Sequence, residues 1–408
     1  MQHSDIIIVG TGHAGAQTAL LLRQRHYAGS ILMLGEEADP PYERPPLSKD
    51  YLAGEKPLDR ILLRPVAFWA EREVDLRLGR RVVVVDPILR QIRTDNGEVY
   101  AYETLVWAAG GHARPLSCPG HDLAGIHMIR TRVDVDRLRA ELPGTDRVAV
   151  IGGGYVGLEA AAILVKAGKQ VTVIEAQDRV LAHVAGEPLS RFYEREHRSH
   201  GVDLRLGATV SGIVGRDGRA TAVKLSDGTE VPADMVVVGI GIVPAVEPLL
   251  AAGATGGNGI DVDGLCRTSL AGIHAIGDCA AQVSTYADGT RLRIESVQNA
   301  MEQAAIVGRH LTGAEEAVVG VPTFWSNQYD LRLQTVGLSL GHDRTIVRGR
   351  PTDRSFSVVY LRRGKVIALD CVNATRDFVQ GKNLVATGAR IASDQLSDAT
   401  VPLKELSA

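Results

Sequence analysis

Two glycine clusters stand out for the chemistry their spacing permits: Gly10-x-Gly12-x-x-Gly15, and Gly152-Gly153-Gly154-Tyr155-Val156-Gly157. In such a pattern the first glycine turns the chain sharply, the second lets backbone approach a pyrophosphate, and the third lets a helix pack close to a strand. The anion then rests on the free N–H groups and the positive dipole end of that helix. Each cluster is followed, after the next apolar run, by an acid that can take ribose hydroxyls, Glu36 and Glu175. At Glu175 the carboxylate accepts from a 2′-hydroxyl and repels a 2′-phosphate, so NADH is preferred to NADPH. Either motif alone has a plainer alternative, a packing turn or a solvated carboxylate at a strand end. Two in one chain argue for two dinucleotides, and so for electron transfer between them.

A third signal is the segment Thr268 to Asp278, which ends Ile273-His274-Ala275-Ile276-Gly277-Asp278. A strand closing on Gly-Asp places a carboxylate where it can meet the ribityl chain of a flavin, and the glycine permits close approach. A surface turn is the alternative.

The elements that must position these residues follow from periodicity. Asp5-Ile6-Ile7-Ile8-Val9 is a strand, Ala14 to Arg25 a helix, and Ser30 to Leu34 the next strand. The same unit returns as the strand Arg147 to Ile151, the helix Tyr155 to Ala167 and the strand Gln170 to Ile174. Between them the loop Pro40-Pro41-Tyr42-Glu43-Arg44-Pro45-Pro46 is too rich in proline for helix or central strand. After about Pro322, Phe356 to Tyr360 and Val366 to Leu369 flank Arg362-Arg363-Gly364 as a hairpin. The expected fold is α/β: two Rossmann-like dinucleotide-binding domains, then a smaller C-terminal α+β domain.

Composition agrees. The 408 residues are 45% apolar and 23% charged, ordinary for a globular protein of several domains. Net charge is −3, which argues against nucleic acid as a partner. No apolar run reaches the ~20 residues that span a bilayer, and the first residues lack a signal sequence, so no membrane partner and a cytoplasmic location are expected. Cys118, Cys266, Cys279 and Cys371 form no close pair. They read as small buried side chains rather than a disulfide framework, and no metal site is expected. From Thr323 onward 12 Lys/Arg face 8 Asp/Glu, an excess of +4.

Together these motifs resemble the FAD-dependent pyridine-nucleotide reductases of glutathione-reductase-like fold. Among them the chain is most similar to bacterial ferredoxin reductases of the putidaredoxin-reductase and dioxygenase-component type. The likeness runs over essentially the whole chain. Its most specific pieces are Glu43 to Lys49 (ERPPLSK), Gly152 to Glu159 (GGGYVGLE), Gly277-Asp278, Ile294 to Ala300 (IESVQNA) and Phe324 to Tyr329 (FWSNQY). The resemblance implies FAD contacts at Gly12, Ala14, Gly15, Glu36, Arg44, Lys49, Val82, Arg130, Asp278 and Val297, with Gly10 turning the loop. It implies NADH contacts at Gly152, Gly154, Val156, Gly157 and Glu175. It also places Lys49 near flavin N5, paired with Glu159, and Trp325 at the flavin from the last domain. Tyr155 is either a ring at the nicotinamide entrance or simply core.

Three departures bear on this. Ala108-Ala109-Gly110-Gly111 replaces a common Ala-Thr-Gly-Gly, Gln298 stands where proline is frequent, and His183 where an arginine often helps hold NAD. The implied organisation is an FAD domain from residues 1–112 and 242–322, an NAD domain from 113–241, and a third domain from 323–408. The implied reaction passes hydride from NADH to FAD and then single electrons to a [2Fe–2S] ferredoxin, acidic and transiently bound, that serves a cytochrome P450 or a ring-hydroxylating dioxygenase. Disulfide- and peroxide-reducing relatives need a redox cysteine, and the segment Pro40 to Lys49 has none. Two other functions stay open: an NADH-dependent quinone or oxygen reductase, and an NADH-responsive flavoprotein like apoptosis-inducing factor.

Overall fold

The computed structural model describes residues 2–314 and 320–406, which form two compact units. Unit 1 comprises residues 1–44, 57–112 and 243–322; unit 2 comprises 45–56, 113–242 and 323–408.

In unit 1 the Gln2–Val9 strand lies between Ile31–Leu34 and Val99–Trp107, both parallel to it. Val74–Arg77 and Ile273–Ala275 extend the parallel set, and Gln91–Thr94 and Val82–Asp86 continue it as antiparallel strands, giving seven in all. Its second half, Ile6 to Val9, is apolar throughout because both of its faces are covered there. Ile6 and Ile8 pack on the helices His13–Gln24 and Val297–His310 through Ala14, Leu22, Ala300 and Val307. Ile7 and Val9 face the opposite cluster, with Val82, Tyr100 and Val262.

Unit 2 repeats the plan with five parallel strands in the order Asp203–Leu206, Gln170–Glu175, Arg147–Ile151, Met235–Val238 and Ile126–Met128. A three-stranded antiparallel sheet, residues 210–232, buries Ile213, Val223 and Val231 against Ala149, Ile151 and Ile174. Residues 323–372 form a five-stranded antiparallel sheet covered by the helix Thr375–Thr387. The expected hairpin is there: Ser355–Arg362 pairs with Lys365–Val372 through Arg363 and Gly364, both at positive φ as a tight hairpin turn requires.

Several sequence expectations need correction. The two βαβ helices run His13–Gln24 and Tyr155–Lys166, within a residue of expectation at each end. Pro45 opens a 3₁₀ turn, Pro45–Ser48, so the proline loop does contain helical backbone. Proline suits the start of a helical turn, where no N–H is required. All four cysteines are free, but Cys118 is only half-buried. Among the described residues no helix is long and apolar enough to cross a membrane.

Candidate functional site

In unit 1 the first glycine loop joins strand to helix at φ +109 on Gly10, where a Cβ would stand 2.2 Å from the Ala108 carbonyl oxygen. This close approach explains the small residues at 108–111. A Cβ on Gly15 would lie 1.9 Å from the Gly10 carbonyl oxygen, so the helix can sit this close only with glycine there. Gly12 differs, since a Cβ on it would meet nothing within 4 Å. It is also the N-cap of His13–Gln24 and supplies no side-chain acceptor. The helix end therefore faces a cradle that only a larger side chain would fill, which fits a pyrophosphate.

Around this loop, Arg44 pairs with Glu37 and donates from Nη1 to Tyr42 Oη at 2.7 Å, and Tyr42 Oη donates to Glu37 Oε2. Burial works against the Arg44 charge, but Glu37 and then Tyr42 and Asp278 outweigh it and hold the guanidinium above its ordinary pKa. Glu37 is a partner that sequence reading missed; it follows Glu36 directly and carries no motif. Gly277 donates its N–H to Gln303 Oε1 at 2.7 Å, which fixes the Gly277-Asp278 turn. Val297 is the first residue of Val297–His310, whose N-cap Ser296 accepts from the Asn299 N–H at 3.1 Å. Val82 is buried at the start of Val82–Asp86, and Glu36 is exposed just beyond Ile31–Leu34.

Unit 2 carries the second loop. Gly152 has φ +108 with its would-be Cβ 2.3 Å from the Gly239 carbonyl oxygen, and that of Gly157 would be 2.1 Å from the Gly152 oxygen. A Cβ on Gly154 would meet nothing within 4 Å, and as N-cap of Tyr155–Lys166 it too offers no capping side chain. Glu175 closes Gln170–Glu175; its carboxylate accepts from the Gly153 N–H at 2.6 Å and the Gln177 N–H at 2.8 Å. The carboxylate is thereby fixed under the loop. His183 is exposed, and a different arginine shapes its segment: Arg179 donates to the Ala182 and Ala185 carbonyls and to Ser190 Oγ.

Also in unit 2, Lys49 Nζ donates to Glu159 Oε2 at 2.5 Å. The lysine side chain is 14% exposed and the glutamate 4%, so the pair is screened little by water. Ser48 Oγ donates to the same oxygen and Ser326 Oγ to Glu159 Oε1, each at 2.6 Å. Neither serine was visible as a site residue in the sequence. Tyr155 is half-buried, its ring tilted on that of Phe324 at 4.5 Å between centroids. Desolvation first, and Asp370 next, raise its phenol well above the ordinary value, so it stays neutral. Trp325 is exposed and lines a cavity of about 370 Å³ with Phe324, Asn327, Arg332, Gln334 and Phe378. Arg130 is half-buried just beyond Ile126–Met128. Cys266, Cys279 and Cys371 are buried with thiol pKa values raised by desolvation, Cys279 to about 11, which makes them poor nucleophiles.

Comparison with known proteins agrees with this geometry. Residues 4–304 match the family described as pyridine nucleotide-disulphide oxidoreductase, and residues 323–407 match the reductase C-terminal family. The chain is 58% identical, over 100% of its own length and 99% of the relative's, to the 5,5′-dehydrodivanillate O-demethylase ferredoxin reductase subunit of Sphingobium sp.. Among solved structures it resembles the reductase in the covalent putidaredoxin reductase–putidaredoxin complex, with TM-score 0.95 and 39% identity over 99% of this chain and 98% of that one. The ferredoxin reductase for the CYP199A2 system of Rhodopseudomonas palustris gives TM-score 0.95 and 38% identity over 98% and 99%. The chain therefore belongs to the pyridine nucleotide-disulphide oxidoreductases, and within them it is an FAD-dependent, NAD(P)H-using bacterial ferredoxin reductase.

Proposed function

We propose that this reductase is selective for NADH and passes electrons singly to an acidic [2Fe–2S] ferredoxin that docks transiently and serves a cytochrome P450 or a ring-hydroxylating dioxygenase. The observation that carries the reading is the buried Lys49–Glu159 pair, which the early loop presents while holding no redox cysteine of its own. Bound FAD supplies the hydride-accepting and one-electron-releasing chemistry that protein side chains lack.

The protein's part is to bind, orient and stabilise. Gly10, Gly12, Ala14 and Gly15, with Glu36, Arg44, Val82, Arg130, Asp278 and Val297, hold FAD. The Gly152–Gly157 loop, with Gly154, Tyr155 and Val156 at the helix end, holds NADH. Glu175, fixed by the Gly153 and Gln177 N–H groups, keeps two lone-pair directions for ribose hydroxyls and disfavours a phosphate there. Lys49 offers positive charge to the reduced flavin, and Glu159 keeps that ammonium in place. Trp325 gives the flavin an aromatic neighbour. The +4 excess of residues 323–408 favours encounter with an acidic carrier. A 38%-identical relative named as the ferredoxin–NAD(+) reductase component of an anthranilate 1,2-dioxygenase system supports an oxygenase at the end of the chain.

Steady-state NADH oxidation tests this. An acidic [2Fe–2S] ferredoxin should stimulate turnover at least about tenfold over a quinone alone, and added salt should erode the gain because steering charges are screened. Quinone turnover that no acidic ferredoxin increases would make the chain a small-molecule reductase instead.

A further inference from the structure

Glu159 ends a directed hydrogen-bond chain that runs from Tyr329 through His197, 38 residues beyond Glu159 on the Glu187–Ser199 helix. Tyr329 Oη lies 2.9 Å from His197 Nδ1, His197 Nε2 lies 2.8 Å from Gln328 Oε1, and Gln328 Nε2 donates to Ser326 Oγ at 3.3 Å. Ser326 Oγ then donates to Glu159 Oε1 at 2.6 Å. His197, Gln328, Ser326 and Glu159 are all buried, so no bulk water competes for these groups.

The direction of every bond follows from one end. A carboxylate paired with Lys49 only accepts, so Ser326 must spend its hydrogen on Glu159 and can only accept from Gln328. Gln328 must then turn its amide nitrogen to Ser326 and its oxygen to His197. His197 must donate from Nε2, which leaves Nδ1 of the neutral ring as acceptor for the Tyr329 hydroxyl. Burial lowers the His197 pKa to about 4, with His200 adding to the effect and Gln328 opposing it. The other titratable groups close by are Tyr329, whose ring stacks on His200 at 3.8 Å, and Glu196, which pairs with Arg354. Tyr329 reaches His197 from a left-handed backbone position, φ +57, in the two-residue turn between Thr323–Gln328 and Leu331–Gly337. An aromatic residue adopts that conformation only where its surroundings hold it.

We propose that His197 is a positioning residue for reduction of the flavin by NADH: as its Nε2–H tautomer it orients Gln328 and Ser326, and through them the Glu159 carboxylate that anchors Lys49. This rests on the role given to Lys49 above. A charged His197 would place a second donor against Tyr329, reverse that bond and loosen the chain.

The test uses the FAD-loaded protein. With ¹⁵N-labelled histidine, one imidazole should show the Nε2–H tautomer and stay neutral from about pH 8 to about pH 5, and its signal should vanish in His197→Phe. In Gln328→Glu that imidazole should be charged at pH 7, while NADH reduces the flavin about tenfold more slowly and NADH affinity stays within about twofold. His197→Phe should slow reduction similarly, whereas His197→Gln, whose amide N–H replaces Nε2–H, should stay within about twofold of wild type. An Nδ1–H tautomer, or a wild-type His197 that titrates between about pH 5.5 and 8, overturns the proposal. So do unchanged rates in His197→Phe and Gln328→Glu alongside a slow Lys49→Ala. A Lys49→Ala protein that reduces at the wild-type rate removes the Lys49 reading itself, and the positioning role with it.

Discussion

The two glycine loops have nearly the same backbone and different acids. Gly10 and Gly152 sit at φ +109 and +108, each against a carbonyl of a neighbouring strand end, and Gly12 and Gly154 both leave the helix end open. Their hydrogen bonds give the alignment: Gly10 donates its N–H to Leu34 and Gly152 donates to Ile174. The residue after each acceptor is Gly35 in unit 1 and Glu175 in unit 2, so Glu36 lies one position beyond the equivalent of Glu175. In unit 1 the Thr11 side chain fills the space beside Gly35, whose Cβ would come within 2.8 Å of it. In unit 2 a glycine at 153 makes room for the Glu175 carboxylate, which a Cβ there would approach to 3.0 Å. On the proposed assignment of FAD to unit 1 and NADH to unit 2, one scaffold thus serves two tasks. Unit 1 leaves its acid outside, as suits a resident cofactor held by many contacts, and unit 2 folds its acid under the loop, as suits selection of a passing one.

The largest effect should come from the glycines. Alanine at Gly10 or Gly152 combines a left-handed φ with a backbone clash and should cost more than about 4 kcal/mol in thermal or denaturant unfolding. Alanine at Gly12 or Gly154 should cost the apoprotein no more than about 1 kcal/mol, because the new methyl meets nothing and only the N-cap preference for glycine over alanine is lost. These mild changes separate the loops. Gly12→Ala should purify with little flavin, while Gly154→Ala should stay yellow and bind NADH at least about tenfold more weakly in titration. A Gly12→Ala protein with full flavin and wild-type NADH affinity would mean the cradle is not the pyrophosphate site.

What was legible in the sequence is what backbone sterics impose locally. A turn that only glycine can make, followed by a helix that only glycine can let approach, leaves its mark within six residues, and so both loops and their strands were readable. The His197–Gln328–Ser326–Glu159 chain was not. His197 and Gln328 are 131 positions apart; His197 carries no motif, and the FWSNQY run that contains Gln328 does not say what its side chain meets. Such contacts follow from packing, which no local pattern encodes. The offset of Glu36 from Glu175 was hidden for a different reason: both follow an apolar strand at a distance the motif tolerates, and only strand register reveals that they are not equivalent.

Acid should next distinguish the units, by about 3 kcal/mol. His274 in unit 1 and His197 in unit 2 are both buried, and desolvation lowers each to a pKa of about 4. Between the ordinary value of 6.5 and about 4 the unfolded chain takes up a proton that the native histidine refuses, so stability falls as pH falls, by about 3 kcal/mol per residue. Unit 2 also contains Asp370, which burial raises from 3.8 to about 6 although Thr335 and Tyr360 donate to it. Here the native state takes up the extra proton, so stability rises as pH falls through that window, by a similar amount. The His197 and Asp370 contributions nearly cancel in unit 2, whereas in unit 1 the carboxyl that burial raises is Glu302, less deeply buried than Asp370, and it offsets His274 less. Between about pH 7 and 4.5, exchange protection of Gln2–Val9 and Val99–Trp107 should fall about 100-fold and that of Ser355–Val372 less than about tenfold. Equal loss in both would refute the asymmetry.

The smallest effect, about 1.4 kcal/mol, bears most directly on what the offset acids do. Glu175→Ala should lower the ratio of kcat/KM for NADH over NADPH at least about tenfold, because a fixed carboxylate is lost where the 2′-phosphate would stand. Glu36→Ala should leave that ratio alone and weaken FAD retention only a few-fold, since the acid is exposed and outside the loop. Glu175 also accepts two backbone N–H groups, so its removal could disturb the loop rather than the ribose contact. Glu175→Gln separates the two effects. Its side-chain oxygen can still accept from Gly153, its NH2 gives up only the bond from Gln177, and its neutral amide no longer repels phosphate, so NADPH should improve while NADH weakens less than in Glu175→Ala. If wild-type protein already uses NADPH as well as NADH, the carboxylate under the loop is only structural, and the contrast with unit 1 reduces to how each strand end fills its space.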